Sequence, residues 1–162
     1  MTASCIAVMA PGDMGHAVGK VLGDHGHDVI TCLAGRSERT RDLAAQGNFR
    51  DVPDLETLVA KADLILSILP PANAIKQARD MAAAMKAQGA TAVYVDCNAV
   101  SPATAAETAA ILAEAGAPFI DCGIIGLAPG PGRSTKFYVS GPDTAPMTAL
   151  DGQGITVIDL GD

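Results

Sequence analysis

Aromatic residues are nearly missing from this sequence: no tryptophan, two tyrosines and three phenylalanines among 162 residues. A core without large rings has to be filled by alanine, valine, isoleucine and leucine. That suits a sheet covered by small-residue helices and argues against an all-β sandwich. Basic residues are short as well. Eleven Lys and Arg against eighteen Asp and Glu leave a net charge of −7, which argues against nucleic-acid and anionic-membrane partners, although a local basic cluster can still bind a phosphate. No apolar stretch approaches transmembrane length, and the N-terminus lacks a basic region followed by a long apolar core. A cytoplasmic protein is the expectation. No repeat, linker or low-complexity segment interrupts the chain, so residues 1–162 are read as a single domain. The four cysteines, Cys5, Cys32, Cys97 and Cys122, form no C-x-x-C pair. They read as small buried residues in a reduced compartment, and no metal site is expected.

What the chain does have is alternation. Strands are expected at Cys5–Met9, Asp28–Leu33, Asp63–Leu69, Ala92–Asp96, Pro118–Ile125, Lys136–Ser140 and Ile155–Asp159, with helices at Met14–Gly23, Ser37–Gln46, Leu55–Lys61, Asn73–Gln88 and Pro102–Ala115. Ile75, Ala78, Met81, Ala82 and Met85 form an apolar stripe at helical spacing, and Ser101-Pro102 is an N-cap followed by proline at the first helical position. Strand and helix in turn build right-handed βαβ units, hence an α/β fold with a doubly wound, mostly parallel sheet. His25 and His27 flank a turn and are expected in solvent, whereas His16 falls in the first turn of the first helix. The Gly/Pro-rich stretch Gly126–Gly132 is a loop placed to line a ligand cleft.

The apolar run Ile6-Ala7-Val8-Met9 breaks at once into Ala10-Pro11-Gly12-Asp13-Met14-Gly15. A buried strand, a glycine turn and a helix is how a protein holds a pyrophosphate: Gly12 lets the backbone approach the anion, Gly15 lets the helix pack on the strand, and free N–H groups face the phosphate. Ala10 stands where the first glycine of G-x-G-x-x-G is usual, so the turn is a variant. At the end of the second strand, where a carboxylate would bond the ribose 2′-hydroxyl of NAD, the chain has Ala34-Gly35-Arg36-Ser37, followed by Arg39 and Arg41. A guanidinium and a hydroxyl suit the 2′-phosphate of NADP.

These residues resemble the β-hydroxyacid dehydrogenases, which include the 3-hydroxyisobutyrate, tartronate-semialdehyde and 6-phosphogluconate dehydrogenases. Gly12-Asp13-Met14-Gly15 is similar to the second half of that family's G-x-G-x-M-G, and Gly35-Arg36-Ser37 to its Asn-Arg-Thr. Ile68-Leu69-Pro70 resembles its Met-Leu-Pro, Val95 to Pro102 its V-D-x-S-T-x-S-P, and Phe119 to Gly126 its F-x-D-A-P-V-S-G. The resemblance implies that Leu69 and Pro70 border the cofactor, that Asn98 lies by the nicotinamide, and that Ile125 and Gly126 border a small-molecule substrate. Two departures stand out. Asn98-Ala99 replaces the Ser-Thr pair, and Ile125 replaces a substrate-binding serine, although an aliphatic side chain cannot bond a carboxylate as serine does. The family's general acid/base is a lysine in a G-x-x-x-K-x-x-x-N setting, and Lys20, Lys61, Lys76, Lys86 and Lys136 occur in no such setting. No catalytic residue is therefore assigned. The resemblance implies an N-terminal NADP-binding domain of a homodimeric enzyme whose C-terminal helical domain is absent from these residues. The expected activity is hydride transfer between NADP and a small hydroxy acid or its carbonyl form. The alternatives are a non-catalytic NADP-binding module and an imine-reductase-like enzyme.

Overall fold

Ile6, Ala7, Val8 and Met9 are all fully buried, so the strand they form, β1 (Cys5–Met9), is covered on both faces and lies inside the sheet. The computed structural model describes residues 4–133 and 135–162. After β1 come α1 (Asp13–Asp24), β2 (Asp28–Thr31), α2 (Glu38–Gln46), β3 (Arg50–Asp51), α3 (Leu55–Lys61), β4 (Leu64–Ser67), α4 (Ala74–Gln88), β5 (Val93–Asp96), α5 (Pro102–Glu114), β6 (Phe119–Ile125), β7 (Lys136–Ser140), α6 (Ala145–Thr148) and β8 (Thr156–Asp159). The eight strands form one sheet in the order β3-β2-β1-β4-β5-β6-β7-β8. Neighbours are parallel except β6 and β7, which run antiparallel with Ile125 opposite Lys136. This is the doubly wound α/β fold expected, with one reversed junction.

Alternation along each strand divides the core. Ala7, Met9, Ile30, Ile65 and Tyr94 face a layer built by Leu58 of α3, Ala78, Met81 and Met85 of α4, and Leu112 of α5. Ile6, Val8, Leu66, Val95 and Ile120 face Val18 and Leu22 of α1 and Met147 of α6. Helix starts are capped by side chains: Ser37 accepts from Thr40 N, Asp54 from Thr57 N and Ser101 from Thr104 N.

Several expectations need correction. The second and third expected strands end early, at Thr31 and Ser67, because Cys32, Leu33, Ile68 and Leu69 are apolar residues of the loops beyond the strand ends. Two short elements, β3 and α6, carry too few residues to show a period. His27 is buried rather than solvated: its Nδ1 accepts from Ser4 N at 3.1 Å and its Nε2 meets Gln153 Oε1 at 2.5 Å. Cys5 is only half-buried. Burial and the nearby Asp28 carboxylate push its thiol up to about 11, which keeps it protonated and unreactive.

Candidate functional site

The carboxyl ends of β1, β2 and β4 open onto a cleft of about 380 Å³, lined among others by Ala10, Arg36, Thr40, Leu69, Pro70 and Lys76. Its position follows from the strand order, because the chain leaves β1 toward one side and β4 toward the other. The β1–α1 turn contributes Ala10 to the lining. Ala10 takes φ of +48° there, a left-handed conformation in which glycine would be unstrained. Pro11 is buried behind the turn and Gly12 is the N-cap of α1. Unlike α2, α3 and α5, α1 has no side-chain cap, so the first N–H groups after Gly12 are left for an external acceptor. A Cβ built at Gly12 would project into space holding no protein atom, whereas one at Gly15 would meet Val8 Cγ1 at 3.4 Å. Gly15 therefore serves the helix–strand contact, and Met14 packs into the layer beside it.

Arg36 reaches the cleft through a turn that the chain builds with care. Arg36 N donates to Leu33 O at 3.0 Å with Gly35 at φ of +73°, the geometry of a turn requiring glycine at its third position. Leu33 is clamped on both sides: its N–H donates to Asp51 Oδ1 at 2.9 Å, and its carbonyl accepts from Arg41 Nη2 at 2.7 Å. The three arginines thus have different tasks. Arg41 holds the turn. Arg39 pairs with Asp13 at 2.7 Å, tying α2 to the start of α1. Arg36 has no ion-pair partner among the described residues, and it lines the cleft. Ser37, expected at the cofactor, spends its hydroxyl on capping α2.

Asn98 is buried, and its side chain is fully engaged with the protein. Oδ1 accepts from Leu69 N at 2.8 Å, while Nδ2 donates to Asp96 Oδ1 at 2.7 Å and to Ser67 Oγ at 3.2 Å. It braces the Leu69–Pro70 edge of the cleft rather than presenting its amide to a ligand. Asp96, beside it, is almost fully buried with Oδ2 unpartnered. Burial holds its carboxyl above the usual 3.8, partly offset by the bonds from Asn98. The neighbouring Cys97 thiol is also raised, by its contact with Cys122 and by burial.

Ile125 and Gly126 are not in this cleft. They sit at the end of β6, with β1, β4 and β5 between them and β2, and the Ile125 side chain is 62% exposed. Cleft residues that the sequence did not single out are Thr40 on α2, Asn73 before α4, and Lys76, Gln77 and Asp80 on α4. The α4 stripe marked the buried side of that helix, and nothing in its spacing marks the end that meets a ligand.

Comparison with known proteins bears on this geometry. Residues 5–150 match the family described as the NAD binding domain of 6-phosphogluconate dehydrogenase. An uncharacterized 28.5 kDa protein of Methanothermus fervidus, in the 7S RNA 5′ region, is 30% identical over 134 residues, which is 83% of this chain and 49% of that protein. Among solved structures, MTH1747, a conserved protein of unknown function described as structurally similar to 3-hydroxyacid dehydrogenases, superposes with a TM-score of 0.84. Its identity is 22%, over 97% of this chain and 57% of that one. An imine reductase from Myxococcus stipitatus in complex with NADP+ gives a TM-score of 0.78 at 17% identity, covering 97% of this chain and 55% of that chain. These two share the fold. The chain spans about half the length of the proteins it matches.

Proposed function

Because the chain belongs to the family of NAD-binding domains of 6-phosphogluconate dehydrogenase, we propose that it holds NADP and serves hydride transfer between the nicotinamide and a small hydroxy acid or its carbonyl form. The observation that carries the cofactor choice is Arg36, an unpaired guanidinium at the mouth of the cleft where NAD would call for a carboxylate. In this reading the N–H groups after Gly12 hold the pyrophosphate, and Ala10, Leu69 and Pro70 bound the adenosine side. Arg36 reads the 2′-phosphate by a charge-assisted contact, with Thr40 beside it. Arg39 and Asp13 act indirectly, fixing α2 against α1 so that Arg36 faces the turn. Asn98 keeps the Leu69–Pro70 edge in place. Bound NADP supplies the hydride chemistry, and the domain orients it.

The test is calorimetric titration of NADP and NAD on the wild type and on Arg36→Ala. Loss of one charge-assisted contact, about 1.5–3 kcal/mol, weakens NADP binding roughly ten- to a hundredfold and leaves NAD unchanged. Equal losses for both cofactors would show that Arg36 does not read the 2′-phosphate. An imine substrate is the second reading, favoured by Ile125: a neutral C=N compound needs no hydrogen bond at that position. NADPH oxidation against matched panels of oxo acids and imines, in a protein carrying any further catalytic domain, separates the two.

A further inference from the structure

His27 joins three stretches of the chain that are remote in sequence. It lies just before β2, its Nδ1 accepts from Ser4 N just before β1, and its Nε2 meets Gln153 Oε1 in the loop between α6 and β8. We propose that His27 is an acid-released latch. Neutral, it ties the α6–β8 loop and the entry to β1 to the body of the domain; protonated, it lets both go. The latch sits at the amino edge of the parallel strands, opposite the cleft, and does not depend on the cofactor reading.

Hydrogen-bond chemistry fixes the tautomer. A backbone N–H can only donate, so Nδ1 carries no hydrogen. Gln153 Nε2 donates to Ala149 O at 3.0 Å, which turns Oε1 toward the ring, and an amide oxygen can only accept. The ring hydrogen is therefore on Nε2, and both nitrogens of a buried imidazole are engaged in its neutral form. A second hydrogen, on Nδ1, would point at the one on Ser4 N and set two buried donors against each other.

The charges around the ring supply the other state. One groove beside His27 is lined by Lys20 and Asp24 of α1 and by Asp28 of β2; a second brings Asp63 from before β4. Asp24 pairs with Lys20, Asp28 pairs with Arg50, and Asp63 Oδ2 accepts from Cys5 N. Neither groove receives a charged group from β5, α6 or the loop after α6. Three carboxylates against one lysine give an imidazolium acceptors to turn to, away from Ser4 and Gln153. What would be released is a close joint. Gly154 lies so near α1 that an added Cβ would come within 2.6 Å of Val21 Cβ, so the loop rests on the helix with no side chain of its own between. Asp151 Oδ1 accepts from Val157 N at 2.8 Å and Gly152 N donates to Ile155 O at 3.0 Å. The loop thus keeps its own shape when the joint opens. Because the closed form needs Nδ1 as an acceptor, the latch is shut at neutral pH and released toward pH 5, the interval in which histidine takes up its proton.

The test is amide hydrogen exchange of the whole chain, followed by NMR at pH 7.5 and pH 5 and corrected for intrinsic exchange rates. Protection of the Gly152, Thr156 and Val157 amides is expected to fall about tenfold on acidification relative to β4, the loss of one net hydrogen bond. His27→Phe removes the titrating group: protection there should be low at both pH values, with no acid step. Gln153→Glu changes an exposed-side partner and separates a latch from simple packing. A carboxylate at position 153 accepts from the imidazolium, so the loop should stay protected at pH 5. An unchanged wild type, or the same acid step in either variant, would overturn the latch. Should His27→Phe fail to fold, Gln153→Glu decides alone.

Discussion

The two ends of the sheet's carboxyl edge are built on opposite plans. At the β1–β2 end almost every polar side chain is committed before a ligand arrives: Arg39 to Asp13, Arg41 and Asp51 to Leu33, Ser37 to its helix, Asn98 to Leu69. At the β6 end the chain leaves the sheet through Ile125 and Leu127, 62% and 68% exposed, into a glycine- and proline-rich loop. The first end is preorganised, with the ordering entropy met during folding. The second carries exposed aliphatic surface and few fixed polar groups, so its chemistry depends on what else comes to lie there. The contrast teaches where specificity is written: in braces at the cofactor end, in composition at the loop end.

Substitutions can break that contrast. The largest effect is expected for Gly12→Val. The backbone there, φ of −108° and ψ of −158°, accepts any residue, and no protein atom lies within 4 Å of the added Cβ. Thermal unfolding should move little, yet dinucleotide affinity should fall by about a thousandfold or more as the side chain fills the phosphate position. Next is Asn98→Leu, which strands Leu69 N and leaves Asp96 Oδ1 with only the backbone N–H of residue 98 in a buried setting. Urea unfolding should show a loss of about 2–3 kcal/mol, with weakened NADP binding following from the released Leu69–Pro70 edge.

Asp96→Asn is expected to act through pH. Burial raises the folded Asp96 pKa above its unfolded value, so on raising pH the unfolded chain releases this proton first. The folded state loses stability from the unfolded pKa up through the folded one. Stability curves of wild type and Asp96→Asn, compared between pH 4 and 8, should therefore diverge against the wild type as pH rises. The smallest effect belongs to Ile125→Ser at the other end. An exposed side chain away from the core should change stability by less than about 0.5 kcal/mol and leave NADP affinity unaltered. A large loss from this substitution would mean that the loop end is braced after all.

The same contrast explains what could be read from the residues alone. β1 and β7 were legible to the residue because turn-forming positions bound their apolar runs. β2 and β4 read long because apolar residues continue past the strand ends, Leu33 buried in the turn after β2 and Leu69 lining the cleft after β4. His27 sits between Gly26 and Asp28, an ordinary turn setting, and its burial depends on Gln153, which lies 126 positions away. Arg36 could be singled out by its place after the second strand, but that Arg39 and Arg41 are structural required Asp13 and Leu33 in space. Asn98 was marked by its motif. Its bracing role was not, because that depends on the loop after β4, which no local pattern connects to it.

The reversed junction also has a consequence for how the molecule comes apart. β1 joins β2 when residue 6 meets residue 29, but it cannot join β4 until residue 6 meets residue 64, a long loop to close. The β6–β7 hairpin needs residue 125 to meet only residue 136, and β8 then adds to β7 from nearby in the chain. The last quarter of the protein is therefore a folding unit of low contact order on a body of high contact order. Under native conditions it should open and close as a unit, with amides of β7 and β8 exchanging with solvent together and ahead of those in β1 and β4.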